Sequence, residues 1–291
     1  MNKTQPTAAP TDTATTDHAT PPAHGNRRLA QWFVTAARKP LFWIVVLAIV
    51  LRLPGLGWGL PASDGWDDDG VAPRNFLVGL ALTYVPGSFF TYPPLHMLWL
   101  TLLNLPVVGI ALAHAPAYSQ QAVIGTFIHV PYMTSFAFTA RALSLLMSVG
   151  TVLLVNRLTS LVAGPLAGLL AAAACALDGG LVYYGQVTNL DGPYLFWAVL
   201  SLWAWMRFLI AGDIRSLRWA ALSAAAAIAT KDQAYAVFLL TLPASFLLSL
   251  ALDPAARRRF PALVLPMLRW ASISLGMLLL VDGAITNPSG F

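Results

Sequence analysis

The chain has 291 residues, 57% of them hydrophobic and 10% charged, where a soluble domain carries about a quarter charged residues. That balance excludes a water-soluble globular protein. Most Lys and Arg flank apolar segments, so the formal charge of +5 marks membrane orientation and excludes nucleic-acid binding as its purpose.

Residues 1–28 are rich in Thr, Ala and Pro and too poor in apolar bulk to bury a core, so a disordered cytoplasmic tail is expected. A polar tail before the first apolar run, with no small-residue cleavage site after it, does not read as a secretory signal. Arg27, Arg28, Arg38 and Lys39 place this end in the cytoplasm. Residues 29–291 read as one membrane module.

The first span is expected over 40–60, ending in the helix-breaking run from Pro54 to Pro61. Asp64, Asp67, Asp68 and Asp69 follow, on the outer face. Three adjacent carboxylates repel, so one has a raised pKa or a cation neutralises them; a solvated acidic loop is the plain alternative. Residues 73–84 predict a short amphipathic helix with Phe76, Leu77, Leu80 and Tyr84 at helical spacing. Tyr92-Pro93-Pro94-Leu95-His96 is a rigid entry to a helix.

The segment 95–113 is apolar and nearly long enough to cross, interrupted by Asn104, Pro106 and Gly109. If it crossed alone, Arg157, Arg207, Arg215, Arg218 and Arg257 to Arg259 would all face outward, against the positive-inside rule. It is therefore expected to lie on the outer surface or re-enter, making 61–139 one outer region. Later spans are expected over 140–158, 165–183, 193–210, 217–229, 234–252 and 262–281, seven in all. The fold class is an all-α polytopic membrane protein with an outer juxtamembrane helical loop. The single Cys175 lies in an Ala-rich apolar run and offers neither a disulfide framework nor a cysteine metal site.

That topology leaves a few ionisable residues at the outer face, where such groups are costly and functional by default. Asp191, ahead of Gly192-Pro193, reads as a helix N-cap, as a second carboxylate facing the acidic cluster, or both. Lys231 is either the ion-pair partner of Asp232 or a point charge aimed at a phosphate. Arg141 either snorkels to lipid headgroups or touches substrate. His96 is a lone histidine, and Tyr92 an interfacial aromatic.

In order, the acidic residues after the first span, the outer amphipathic helix and Tyr92-Pro93-Pro94-Leu95-His96 resemble membrane glycosyltransferases of the GT-C fold. The likeness is to the family containing protein O-mannosyltransferases and the lipid A aminoarabinose transferase. It extends through the Arg141-led span, the Asp178-to-Asp191 stretch with its late Asp, and Thr230-Lys231-Asp232, over about 40–241. The resemblance implies inverting transfer of a sugar from a polyprenyl-phosphate donor to a lipid, glycan or protein acceptor, at the outer face of the plasma (inner) membrane. It implies a first-loop Asp as general base, with Asp68 favoured over Asp67 and Asp69. It implies a basic residue or a divalent metal ion at the leaving phosphate. Lys231, Arg141, Asp191, His96 and Tyr92 are the candidate substrate contacts, and Asp68 and Asp191 the candidate metal ligands. The chain departs from the family pattern in having Asp-Asp for the usual Asp-Glu, and Tyr92 where the aminoarabinose transferase has Lys. Relatives continue beyond the apolar span that precedes Asn287 to Phe291; the membrane module is then the whole protein, or the chain is a fragment. The competing classes are a lipid or solute transporter, for which inverted repeats are expected and none is seen, and a non-catalytic membrane partner.

Overall fold

The computed structural model describes residues 39–62 and 75–290, which form eleven α-helices and one 3₁₀ turn, with no strand among them. The expected tail 1–28 and the acidic residues Asp64, Asp67, Asp68 and Asp69 lie outside the described residues.

Helix α1 (Pro40–Leu56) stops four residues short of the expected boundary, where Gly59 turns the chain at φ +71°. Helix α2 (Asn75–Tyr84) is the expected amphipathic helix, with Phe76 buried and Leu77 and Leu80 packed beside it. Helix α3 (Leu95–His114) is continuous through Pro106. Ser119 caps α4 (Gln120–Phe127) by accepting a bond from the Ala122 N–H. Helix α5 (Val130–Ala163) runs 34 residues and begins ten residues before the expected span; at about 1.5 Å per residue it overreaches a ~30 Å hydrocarbon core.

The span expected over 165–183 is two helices, α6 (Pro165–Leu177) and α7 (Gly179–Tyr184). Asp178 breaks it: its carboxylate accepts the Leu181 N–H at 2.8 Å, so the residue caps the second helix and leaves the first. Helix α8 (Asp191–Ala211) ends on Gly212 in the left-handed conformation. Helix α9 (Ile214–Ile228) is followed by the 3₁₀ turn (Asp232–Ala234) and α10 (Tyr235–Leu252). Helix α11 (Pro254–Val281) starts eight residues earlier than expected, because Asp253 caps it and Pro254 suits its first turn.

The protein is an all-α polytopic membrane protein. Helices α3, α5, α8 and α11, together with the stretch Asp232–Leu252, are long and apolar enough to cross a membrane, and α1 and α6 are shorter apolar helices. Helix α5 is the centre, packed against α1, α3, α6 and α8, with α9 on α8 and α11 on α9. Small residues bring the helices close: Ser201 Oγ donates to Ala220 O at 2.8 Å and Ser274 Oγ to Ala221 O at 2.6 Å, across helix–helix contacts. Helices α10 and α11 turn Leu239, Leu240, Leu252 and Leu265 outward, the surface that lipid rather than water covers.

Because the helices alternate in direction, Arg157, Arg207, Arg215, Arg218 and Arg257 to Arg259 share one end of the bundle. Arg157 and Arg207 both lie over the Trp203 ring, at 5.8 and 5.2 Å. Asp191, Lys231, Asp232 and Asp282 share the other end. Both ends of α3 are held there too. Its first N–H donates to Ala229 O at 2.9 Å, and His114 Nδ1 in its last turn meets the Tyr132 hydroxyl at 3.3 Å, in the first turn of α5.

Candidate functional site

Two fully buried arginines set the frame of the acidic end. A helix leaves its last carbonyls without partners, and in an apolar setting those oxygens need donors. Arg141, with none of its surface exposed, donates from Nη1 to the carbonyls of Gly55, Leu56 and Trp58 at 3.0, 3.4 and 2.6 Å. It therefore closes the C-terminus of α1 from inside the protein and does not snorkel to headgroups. Arg52, equally buried, does the same for α6: Nη1 donates to Ala176 O at 3.3 Å while Nε donates to Ser148 Oγ at 2.7 Å. Gly185 is needed beside it, since a Cβ there would stand 2.8 Å from Arg52 Nε.

On that frame, Asp191 opens α8 and is not its N-cap. The capping position is Leu190, and Asn189 Oδ1 accepts the Asp191 N–H at 2.6 Å. The Asp191 carboxylate instead accepts from Lys231 Nζ at 2.7 Å, with both side chains mostly buried, and sits where a helix N-terminus favours negative charge. Lys231 thus pairs with a residue 40 positions away and not with its neighbour Asp232. Its extended backbone, φ −150° and ψ 117°, sends the ammonium toward α8, and the Asp232 carboxylate turns back to accept the Gln233 N–H at 2.8 Å. Burial lowers the Lys231 pKa, but the hydrogen bond and charge of Asp191 outweigh it and hold the ammonium above the ordinary lysine value. The Tyr194 ring lies 5.8 Å from Nζ.

Beside this pair is a cavity of about 230 Å³ lined by residues 88–94, Asp232, Asp282 and Gly290, among others. Tyr92, Pro93 and Pro94 form part of its wall. Asp282, the residue after α11, is half-buried; its Oδ1 has no hydrogen-bond partner among the described residues. Burial first, and then the charge of Asp232, push its carboxyl up to about 6. Gly290, which also lines the cavity, ends a strap, residues 283–290, stapled by Asn287. Asn287 Oδ1 accepts the Gly87 N–H at 2.9 Å, and its amide donates to Thr83 O and Ser88 O at 3.2 and 2.8 Å.

Below lies an apolar cavity of about 470 Å³ among α8, α9, α10 and α11, lined by Trp205, Ala224, Met267 and others. It reaches Ile228 and Leu278, about one turn before Lys231 and Asp282 respectively. The two cavities share no lining residue, and the chain between Ile228 of the apolar one and Asp232 of the polar one carries Lys231 of the ion pair.

Of the residues expected at a site, Lys231 and Asp191 form the ion pair, and Tyr92 lines the polar cavity. Arg141 serves α1. His96 is buried beside the α3 core with no hydrogen-bond partner for either ring nitrogen among the described residues, and it does not line the polar cavity. Asp67, Asp68 and Asp69 lie outside the described residues; of the residues flanking them, Ala62 bonds Thr134 of α5 and Phe76 packs edge-on to Phe136. Sequence reading missed Asp282, a lone acid at the exit of an apolar run at the same end as Asp191. It also missed Arg52, an ionisable residue inside the first apolar segment. Compared with known protein families, curated proteins and solved structures, the chain matches none of them.

Proposed function

We propose that the protein is a glycosyltransferase of the GT-C kind, moving a sugar from a polyprenyl-phosphate donor to an acceptor at the outer face of the inner membrane. The observation that carries this reading is the Lys231–Asp191 pair, with Lys231 lying in the chain between Ile228, which lines the apolar cavity, and Asp232, which lines the polar one. That arrangement suits an amphiphile with a long apolar tail and an anionic head. An ammonium carries three donors; Asp191 takes one, and a donor phosphate takes the others.

In this reading α1, α5, α6 with α7, α8, α9, α10 and α11 are the seven spans. Helices α2, α3 and α4 lie on the outer surface. The shared arginine end is cytoplasmic, and the two tethered ends of α3 keep it at the opposite face. The acceptor oxygen attacks the anomeric carbon while the bond from that carbon to the phosphate oxygen breaks. The phosphate leaves with the electron pair, and a carboxylate takes the acceptor proton, Asp68 first among Asp67 to Asp69. Charge gathers on the leaving phosphate, where a preorganised cation acts most strongly. Lys231 supplies that cation. A divalent ion at Asp191 would have to share a carboxylate that already accepts from Lys231.

The test is donor binding to the folded protein. Lys231→Ala is expected to weaken binding of a polyprenyl-phosphate analogue at least tenfold while the helical content is kept. Unchanged binding would return Lys231 to a purely structural pair with Asp191.

A further inference from the structure

Resting on the donor reading, we infer that the cavity walled by Phe90, Thr91, Tyr92, Asp232 and Asp282 is a sugar subsite. It takes a single polyhydroxylated ring. Its volume, about 230 Å³, lies below the ~300–1,000 Å³ of pockets for drug-sized ligands and suits one ring.

Its lining is mixed in a way that matches a sugar on both of its surfaces. Phe89, Phe90 and Tyr92 bring aromatic rings, and Phe90 and Tyr92 hold an edge-on arrangement at 6.2 Å. Aromatic faces cover the apolar C–H side of a pyranose. Asp232, Asp282, Thr83, Ser88 and Thr91 bring acceptors and hydroxyls for its rim. Asp282 Oδ1, buried and without a hydrogen-bond partner among the described residues, is an acceptor left unmet there, a condition that ordinarily costs stability and calls for a donor. A sugar hydroxyl is such a donor.

The walls are also fixed in advance. Pro93 and Pro94 limit the backbone on one side. On the other, the Asn287 bonds to Gly87, Thr83 and Ser88, together with the Tyr84 hydroxyl donating to Val281 O at 2.7 Å, hold the strap. The neighbouring Lys231 places a donor phosphate beside the cavity, so one ligand fills both. Asp232 and Asp282 are binding residues in this assignment and take no proton from the acceptor.

The experiment uses the full chain in nanodiscs at pH 8, where Asp282 is ionised, with two probes: farnesyl phosphate and farnesyl phosphate carrying one hexose. The hexose-bearing probe is expected to bind at least tenfold tighter. Asp232→Asn and Asp282→Asn each lower that ratio at least threefold while leaving farnesyl phosphate itself bound as in the parent. Both substitutions keep shape, and an asparagine at 282 mimics the protonated carboxyl, so folding is kept; Tyr92→Phe is the control that retains the ring. A ratio of one in the parent overturns the sugar subsite while the donor-phosphate reading stands. An undiminished ratio in both Asp→Asn variants overturns it equally. If neither probe binds, the donor reading fails, and the cavity is decided by saturation-transfer NMR with methyl hexosides and cyclohexanol. Transfer to hexoside ring protons that disappears in the Asp→Asn variants keeps the sugar subsite. No transfer, or equal transfer to cyclohexanol, overturns it.

Discussion

Asp282 couples the fold to pH. Its carboxyl, pushed up to about 6 by burial and then by Asp232, stands above the 3.8 of an ordinary aspartate. The folded state therefore prefers the protonated form. The stability this contributes is fully present below about 4 and is lost as pH rises through about 6. The detergent-solubilised protein is expected to melt at a higher temperature at pH 5 than at pH 7.5, and Asp282→Asn is expected to flatten that dependence and to raise stability at pH 7.5. A pH profile identical in parent and variant would show that the carboxyl titrates normally. On the proposed glycosyltransferase reading, Asp68→Asn, outside the described residues, keeps shape and removes the assigned base, so sugar transfer is expected to fall about a hundredfold or more with membrane insertion intact. Parent-rate transfer in the Asn variants at 67, 68 and 69 alike would make the run a solvated loop. At this scale the sequence showed which residues are polar in apolar surroundings better than which ones meet. Lys231, Asp191 and Tyr92 stood out as polar residues in apolar surroundings. The choice of Asp191 over Asp232 as the partner of Lys231 depends on one extended backbone residue, a torsion that spacing does not reveal.

Among the elements, the break between α6 and α7 and the two capping arginines share one cause, the need to satisfy helix ends away from water. Arg141→Gln removes the donor to three carbonyls and is expected to lower stability by about 1.5–3 kcal/mol, the range for hydrogen bonds to a charged group. A thermal melt checks this. Unchanged melting with lost donor binding would instead make Arg141 a substrate contact. Arg52→Met is expected to destabilise in the same direction by freeing Ala176 O and Ser148. Helix boundaries were legible where a proline stood at them, as with Pro40 and Pro165. They were missed where a capping aspartate lay inside an apolar run, as Asp178 does. The early start of α5 was missed because nothing in 130–139 is charged, so the apolar pattern set no lower limit to the helix.

For the whole molecule, the alternation of helices gathers the arginines at one end, as their spacing along the chain already required. A membrane-impermeant maleimide is expected to label Tyr118→Cys in intact cells of a Cys175→Ala background. Tyr118 is 83% exposed and precedes α4. Ala255→Cys, in the first turn of α11 at the arginine end, is expected to react only after permeabilisation. The reverse pattern would invert the protein and place the polar cavity in the cytoplasm. The pairing of α3 with the ends of α5 and α9 was not legible in the sequence, because length and hydropathy alone allow α3 to cross.

The Asn287 staple has a consequence for biogenesis. It joins positions about 200 residues apart, Gly87 with Asn287 and Ser88 with Asn287, so the wall it holds cannot close until α11 has entered the bilayer. Closing so long a loop is costly in chain entropy unless the intervening helices have already brought its ends together. A growing chain halted after α8 or α10 would display the aromatic and proline wall with nothing opposite it. On the proposed reading, ligand capture is then confined to finished molecules, and a nascent chain passes through the insertion machinery with no completed site to draw in lipid-linked sugar.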